Sequence, residues 1–300
     1  MSSASVPLVV TGASGFVGRA VAAMSGPATR TLSMRREDWW REAISLLQPG
    51  VTVLHLAGRV HDFGASEADL MRDNAAKTRD LAQLAREKGA RRMVFLSSVK
   101  VNGEESAARP FRRGDPPAPE DAYGRSKLAA EIALAEAARA GAMEVAVVRA
   151  PLVFGRAALG NLRSLARLAD SPWPLPFAAI DNRRSYVHVD DLAALLLLCA
   201  SHPAAVGRTY FAAASEPTST AALVSAFRAA SHRKPRLFPM PPAVLEALAE
   251  VASQGARMRR LTRSLEVDPT DAERELGWRA HRSLQDCARD VVVGPHEGRS

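Results

Sequence analysis

The chain has 300 residues, 47% of them hydrophobic, enough for one large packed domain or two modest ones. A net charge of +8 and a pI near 10.1 raise nucleic acid as a partner. Against that, acids and bases are interspersed, aromatics make up only 5%, and no recognition-helix, RNA-binding or zinc-finger pattern occurs. The most apolar stretch, 192–200, is too short to span a bilayer and reads as a buried helix. Cys199 and Cys287 have neither disulfide-framework nor metal-ligand spacing. We therefore expect a cytoplasmic protein without a metal and with neither nucleic acid nor membrane as partner.

A first strand over 6–10 runs straight into Thr11-Gly12-Ala13-Ser14-Gly15-Phe16-Val17-Gly18, which argues against a signal peptide. In such a turn the first glycine permits a tight bend and the middle one admits phosphate close to the backbone. The last lets the following helix pack against the strand. With a helix expected over 16–24, a pyrophosphate would rest on its N-terminus against Gly12, Ser14, Gly15, Phe16, Val17 and Gly18. The spacing alone is weak evidence; the strand before it and the amphipathic helix after it strengthen the reading. A second strand over 29–32 ends in Ser33-Met34-Arg35-Arg36. An acid there would hold the ribose 2′-hydroxyl of NAD. Ser33, Arg35 and Arg36 suit a 2′-phosphate instead, so NADP(H) is favoured over NAD(H).

Further strands are expected over 51–56, 92–97 and 144–149, with helices over 38–47, 68–88 and 121–140. This alternation predicts an α/β fold: a Rossmann-like, doubly wound parallel sheet with helices on both faces and ligands at the carboxyl ends of its strands. The fourth strand closes on Ser97 and Ser98, and the helix that follows opens on Tyr123 and Lys127, one turn apart. A phenol, with a pKa near ~10, is a reluctant acid and a poor base unless tuned. An ammonium one turn away is expected to lower that pKa and to hold the nicotinamide ribose, while Ser98 holds a carbonyl oxygen. Ser98, Tyr123 and Lys127 are the expected catalytic residues.

Beyond residue 150 the pattern is less regular. Pro172-Trp173-Pro174-Leu175-Pro176 and Pro239-Met240-Pro241-Pro242 punctuate it, between helices expected over 220–231, 243–262 and 283–292. This predicts a smaller, mainly helical C-terminal substrate lobe of residues 154–184 and 215–300. The dinucleotide-binding domain would comprise 1–153, with 185–214 returning to it. His188 reads as a structural histidine, and His61 lies where a substrate loop would run.

Taken together, Gly12-x-x-Gly15-x-x-Gly18, His55-Leu56-Ala57-Gly58, Asn74, Ser97-Ser98, Tyr123-x-x-x-Lys127, Arg149, Val153-Phe154-Gly155 and the run from Arg184 to Asp191 follow one another in a characteristic order. The chain resembles the extended short-chain dehydrogenase/reductase superfamily, in its nucleotide-sugar epimerase, dehydratase and reductase branch, over most of its length. By that resemblance Leu56, Ala57, Gly58 and Asn74 line the cofactor path, and Pro151 and Val153 lie against the nicotinamide. Val99, Lys100, Asn161, Arg184 and Tyr186 would meet a nucleotide-sugar substrate, and the helices 68–88 and 121–140 would pair two copies into a homodimer.

Departures from the family pattern carry information. Val99-Lys100 stands where sugar dehydratases resembling this family carry an Asp-Glu pair, which argues against dehydration. The stretch from Arg36 to Val51 is short, so the sheet is expected to lack one strand, with Asp38 a remnant of the adenine contact. Ser185 and Leu152 replace an Asp and an Asn common in the family. The resemblance is strongest to 4-ketoreductases and 4-epimerases of UDP-N-acetyl-6-deoxyhexosamines, enzymes associated with bacterial surface polysaccharides. The reading is an NAD(P)-dependent reductase of a 4-keto nucleotide sugar. Its rivals are an NAD-dependent 4-epimerase and a non-catalytic NADP-binding sensor.

Overall fold

The computed structural model describes residues 7–59, 65–141, 143–156, 158 and 160–294. Strand β1 (Leu8–Thr11) is buried at every position and passes through the glycine turn into α1 (Phe16–Met24). There follow β2 (Thr29–Leu32), α2 (Trp39–Leu46) and β3 (Thr52–His55). The single helix expected over 68–88 forms as three pieces: α3 (Glu67–Leu70), a π-helical turn at Met71–Ala76, and α4 (Lys77–Glu87). Such a turn inserts an extra residue into the helical repeat and often marks a functional site; here it carries Asn74. Next come β4 (Arg92–Ser98), α5 (Ala122–Arg139) and β5 (Glu144–Ala150). The Asp121 carboxylate caps α5 by accepting the Gly124 N–H at 2.6 Å.

The second half forms β6 (Leu152–Phe154), α6 (Asn161–Ala169), β7 (Tyr186–His188), α7 (Val189–Ser201) and β8 (Thr209–Phe211). It ends in α8 (Thr220–Ala230), α9 (Pro242–Val251), α10 (Gly255–Thr262), α11 (Thr270–Leu276) and α12 (Leu284–Val293). Expected as one helix over 243–262, α9 and α10 are separate because Ser253 turns into the left-handed region at φ 56°. Strands β6, β7 and β8 are three residues each, too short to betray a period in the sequence.

Six parallel strands form the main sheet in the order β2-β1-β3-β4-β5-β8. No strand forms between α2 and β3, so β2 is the sheet's edge and the missing strand is as expected. The chain reverses direction across the sheet between β1 and β3, the place where such sheets bind ligands. One apolar core, with Val21 of α1 and Leu192, Leu195 and Leu196 of α7, covers one face. A second, with Trp39, Ala43, Leu81 and Leu134, covers the other through α2, α4 and α5. A third, centred on Phe154, Leu165, Val224 and Phe227, lies among α6, α8, α9 and α12. Burying an aromatic such as Phe95, 0% exposed, contributes roughly 2–3 kcal/mol to this packing. Register does the rest: Phe95 pairs with His55 and Ser98 with Ala150, so β4 overshoots β3 by three residues and lifts Ser98 above the sheet's rim.

Candidate active site

The glycine turn is shaped by contacts that admit no side chain. Gly12 has φ +72°, and a Cβ on it would lie 2.7 Å from the Ala57 nitrogen; a Cβ on Gly18 would lie 2.1 Å from the Gly12 carbonyl oxygen. Gly15 caps α1 without any side-chain hydrogen bond, and Ser14 and Gly15 are exposed. Phe16 and Val17 anchor the helix by packing on different cores. A helix N-terminus presented by bare backbone in this way fits a pyrophosphate.

Beneath the turn runs a buried polar ladder. The Thr78 hydroxyl donates to the Asn74 carbonyl at 2.6 Å, which leaves it to accept from His55 Nε2 at 2.8 Å. His55 Nδ1, 2.6 Å from the Thr11 hydroxyl, is then an acceptor, and the Thr11 oxygen receives the Ala57 N–H at 3.1 Å. The imidazole is neutral: burial pulls its pKa down to about 3, assisted by the Lys127 charge. The ladder couples the ends of β1 and β3 to the π turn and holds Leu56 and Ala57 in place. In sequence, His55 was one member of a motif; its role emerges only from these contacts.

At the end of β2, Ser33, Arg35 and Arg36 are exposed. Arg36 donates to both Asp38 oxygens at 2.9 and 3.1 Å, in an exposed pair that a phosphate would have to compete with. A cation that sequence reasoning missed stands close by: Lys77 of α4 donates to the Met34 carbonyl at 3.2 Å and pairs with Asp73 at 3.0 Å. The π turn and α4 bring it there from 43 residues downstream of Met34, which no local pattern could signal.

Ser98, Tyr123 and Lys127 converge at the rim of β4. Burial pushes the Tyr123 phenol up to about 12, the Asp121 carboxylate adds to that, and the neighbouring Ser98 hydroxyl opposes it. Lys127 is 5% exposed, donates to the Leu96 carbonyl at 2.8 Å and lies 4.4 Å over the Phe95 ring. Burial brings its pKa down to about 8, against the pull of Glu131. Where Lys127 was expected to lower the phenol's pKa, burial governs both groups instead, raising the phenol and lowering the ammonium. Asn74 spends its amide on the scaffold. It accepts the Arg59 N–H at 2.7 Å and donates to the Arg59 carbonyl and the Ser126 hydroxyl, both at 2.9 Å, so it fastens the Gly58 loop to α5. Pro151 and Val153 are half-buried just past β5, with Val153 in β6.

On the substrate side, Lys100 is clamped by Glu104 at 2.7 Å and by Asp121. Val99 is buried at 3% exposure and forms wall, not contact surface. Tyr186 is corrected from a substrate contact to a core residue: it is 6% exposed, with its ring edge-on to Phe154 at 5.5 Å. Ser185 is likewise buried, accepting the Val267 N–H at 3.0 Å. Arg184 donates to the Arg263 carbonyl at 3.0 Å, and burial lowers its pKa to about 10, with Glu104 opposing and Arg260 assisting. Arg260 of α10, absent from the sequence-level reading, thus joins Arg184 as a second guanidinium there, 3.9 Å from Glu104. Asn161 opens α6, but its side chain lies outside the described residues, as does His61. His188 is structural, accepting the Asp190 N–H at 3.2 Å and bonding Asp290 at 3.1 Å.

Residues 8–213 match the NAD dependent epimerase/dehydratase family. The chain is 35% identical over 246 residues to a UDP-glucose 4-epimerase of Vibrio cholerae, covering 80% of this chain and 75% of that protein. It is 30% identical over 210 residues to a dTDP-4-dehydrorhamnose reductase of Mycobacterium tuberculosis, covering 67% of each. In fold it is similar to RMD from Pseudomonas aeruginosa complexed with NADPH, with a TM-score of 0.73, 21% identity, and coverage of 95% of this chain and 97% of that one. The chain belongs to the NAD dependent epimerase/dehydratase family, an NAD(P)-dependent sugar-nucleotide enzyme of the extended short-chain dehydrogenase/reductase type.

Proposed function

We propose that this family member reduces the 4-keto group of a nucleotide-activated sugar, with NADPH as the favoured cofactor. The observation that carries the reading is the placement of the Tyr123 phenol against the Ser98 hydroxyl at the rim of β4, with the buried Lys127 one turn further along the same helix. At neutral pH the phenol, like any phenol near ~10 or above, holds the proton that a carbonyl reduction requires. Nearby carboxylates offer no acid/base pair for elimination, because Asp121 and Glu104 are both bonded to Lys100. The dinucleotide, when bound, supplies the hydride. Ser98 holds the carbonyl oxygen, Tyr123 protonates it as charge develops, and Lys127 holds the ribose. Gly12, Ser14, Gly15, Phe16, Val17 and Gly18 would hold the pyrophosphate. Ser33, Arg35 and Lys77 would meet a 2′-phosphate.

Arg184 and Arg260 suit the substrate's diphosphate, for which paired guanidiniums give fork-shaped recognition. The substrate lobe would be 154–184 and 215–300, with 185–214 returning to the cofactor domain. The enzyme would act in the cytoplasm as a homodimer formed through α4 and α5, where Ile132 is 50% exposed.

Replacing Tyr123 by Phe should cut turnover of a UDP-4-keto-6-deoxy-N-acetylhexosamine by about 10²–10⁴-fold while leaving NADPH affinity intact. An active Phe variant would overturn the role. A second reading, a 4-epimerase with retained NAD, is favoured by the Vibrio cholerae relative and by the engagement of Arg36 with Asp38. Cofactor carried through purification and interconversion of sugars without net NADPH consumption would select it.

A further inference from the structure

One and two turns beyond Lys127 and Tyr123 on α5, Glu131 takes no part in the chemistry above, yet its carboxylate is saturated by two strands. Its Oε1 accepts from the Ser97 hydroxyl at 2.5 Å and from Arg149 Nε at 3.0 Å, and its Oε2 from Arg149 Nη2 at 2.6 Å. The Glu131 and Arg149 side chains are 10% and 6% exposed. Arg149 Nη1 continues to Asn102 Oδ1 at 3.0 Å, on the turn that follows Ser98. Asn102 is 2% exposed, and its amide nitrogen lacks a partner.

We infer that Glu131 is a positioning residue: with Ser97 and Arg149 it fixes the register of α5 against β4 and β5, so that Tyr123 and Lys127 stand over Ser98. The inference rests on the proposed reduction for its kinetic consequence, but not for its structural one. Ser97 precedes Ser98 on β4, and Arg149 pairs with Ser97 across the sheet, so one carboxylate grips the two strand ends that frame the site. A helix held only by apolar contacts could slide or roll by a fraction of a turn at little cost. A bidentate guanidinium bond with a third hydrogen bond leaves one geometry.

Glu131 also acts as a counter-charge. Lys127 meets the neutral His55 from β3, the Phe95 ring and the Leu96 carbonyl from β4, and Asn74 beside Gly58; Glu131 is the full negative charge that favours the ammonium there. A neutral Lys127 would bring no positive charge to the site.

The test separates packing from positioning. Removing Glu131 alone strands a buried guanidinium, which is costly, whereas replacing both partners by apolar residues of similar volume is commonly tolerated. The double variant Glu131→Leu/Arg149→Met is therefore compared with the intact chain and with Glu131→Gln. The chain has five lysines, so ε-carbon-labelled lysine NMR of the cofactor-free protein, assigned with Lys127→Arg, follows Lys127 directly. In the folded Glu131→Gln variant, which removes the carboxylate charge and keeps Arg149, Lys127 should titrate about one pH unit lower than in the intact chain, as expected on losing an opposite charge at short range, and the alkaline limb of the pH profile should move with it. The double variant removes both charges of the pair, so it reads positioning: with NADPH and substrate, kcat should fall about tenfold or more while the KM for NADPH stays near normal. An unmoved lysine titration in Glu131→Gln, or an intact kcat in the double variant, overturns the inference. If the intact chain reduces no nucleotide sugar, the proposed reaction fails, and the lysine titration still decides the role of Glu131.

Discussion

At the cofactor end of the cleft, Gly12 and Gly18 press against backbone, and the Thr11–His55–Thr78 ladder leaves no spare donor between β1, β3 and the π turn. At the proposed substrate end, Arg260 and Arg263 face Glu104, Glu105 and Glu246 across partly exposed surface, at 3.9, 3.1 and 3.1 Å. The first end is defined by what cannot be added, the second by charges that can be exchanged. A phosphate cradle made of backbone has one solution, whereas guanidiniums on half-open surface can be re-aimed without breaking the fold. This is a physical reason for one scaffold to keep its cofactor while changing substrates.

The sharpest way to break the contrast is Gly18→Ala. Its methyl group would fall 2.1 Å from the Gly12 carbonyl, so the turn must move. A stability loss of about 1–3 kcal/mol is expected in denaturant melts, with dinucleotide binding abolished. Gly26 has nothing within 4 Å, and Gly26→Ala should be neutral or stabilising by up to about 1 kcal/mol.

At the other end, Arg184→Ala should leave melting nearly unchanged and raise the KM for the nucleotide sugar by about 10–100-fold, the worth of one charge-assisted hydrogen bond. Added salt should mimic that rise and spare NADPH affinity. A variant that weakened NADPH instead would undo the division between the two ends.

His55 sharpens the comparison through pH. Its folded pKa of about 3 lies below its ordinary 6.5, so the unfolded chain binds the extra proton as pH falls. The stability contributed by the neutral imidazole is whole above pH 6.5 and is lost as pH falls from there toward 3. At pH 5.5 the loss is on the order of 1 kcal/mol. Urea midpoints measured against pH should show this slope, and His55→Gln should flatten it.

The smallest effect is expected at Arg36 and Asp38, whose side chains are 79% and 41% exposed. Asp38→Asn should not change stability, but by releasing Arg36 it should shift the ratio of NADPH to NADH affinity toward NADPH. An unchanged ratio in cofactor titrations would leave Arg35 and Lys77 as the phosphate ligands.

Much of the cofactor half was legible in the chain. The α1 boundaries expected from its apolar spacing are those observed, and the short link after Arg36 announced a sheet without a further strand. Both are local matters, read from a period or a length. The substrate side resisted such reading. Tyr186 looked like a contact and is core, and Arg260 looked like any surface arginine until α10 carried it beside Arg184. Lys77 and Glu131 gave no signal, because each matters through partners more than 15 residues away.

The amino-acid order by itself determined the alternation of strand and helix, the bare glycine turn and the one-turn spacing of Tyr123 and Lys127. These follow from steric rules that act within a few residues. Only the tertiary structure decided how those two groups ionise, which arginines share an anion and which carboxylates are already spent. Desolvation and charge pairing depend on distance through space, and the chain's own order does not record it.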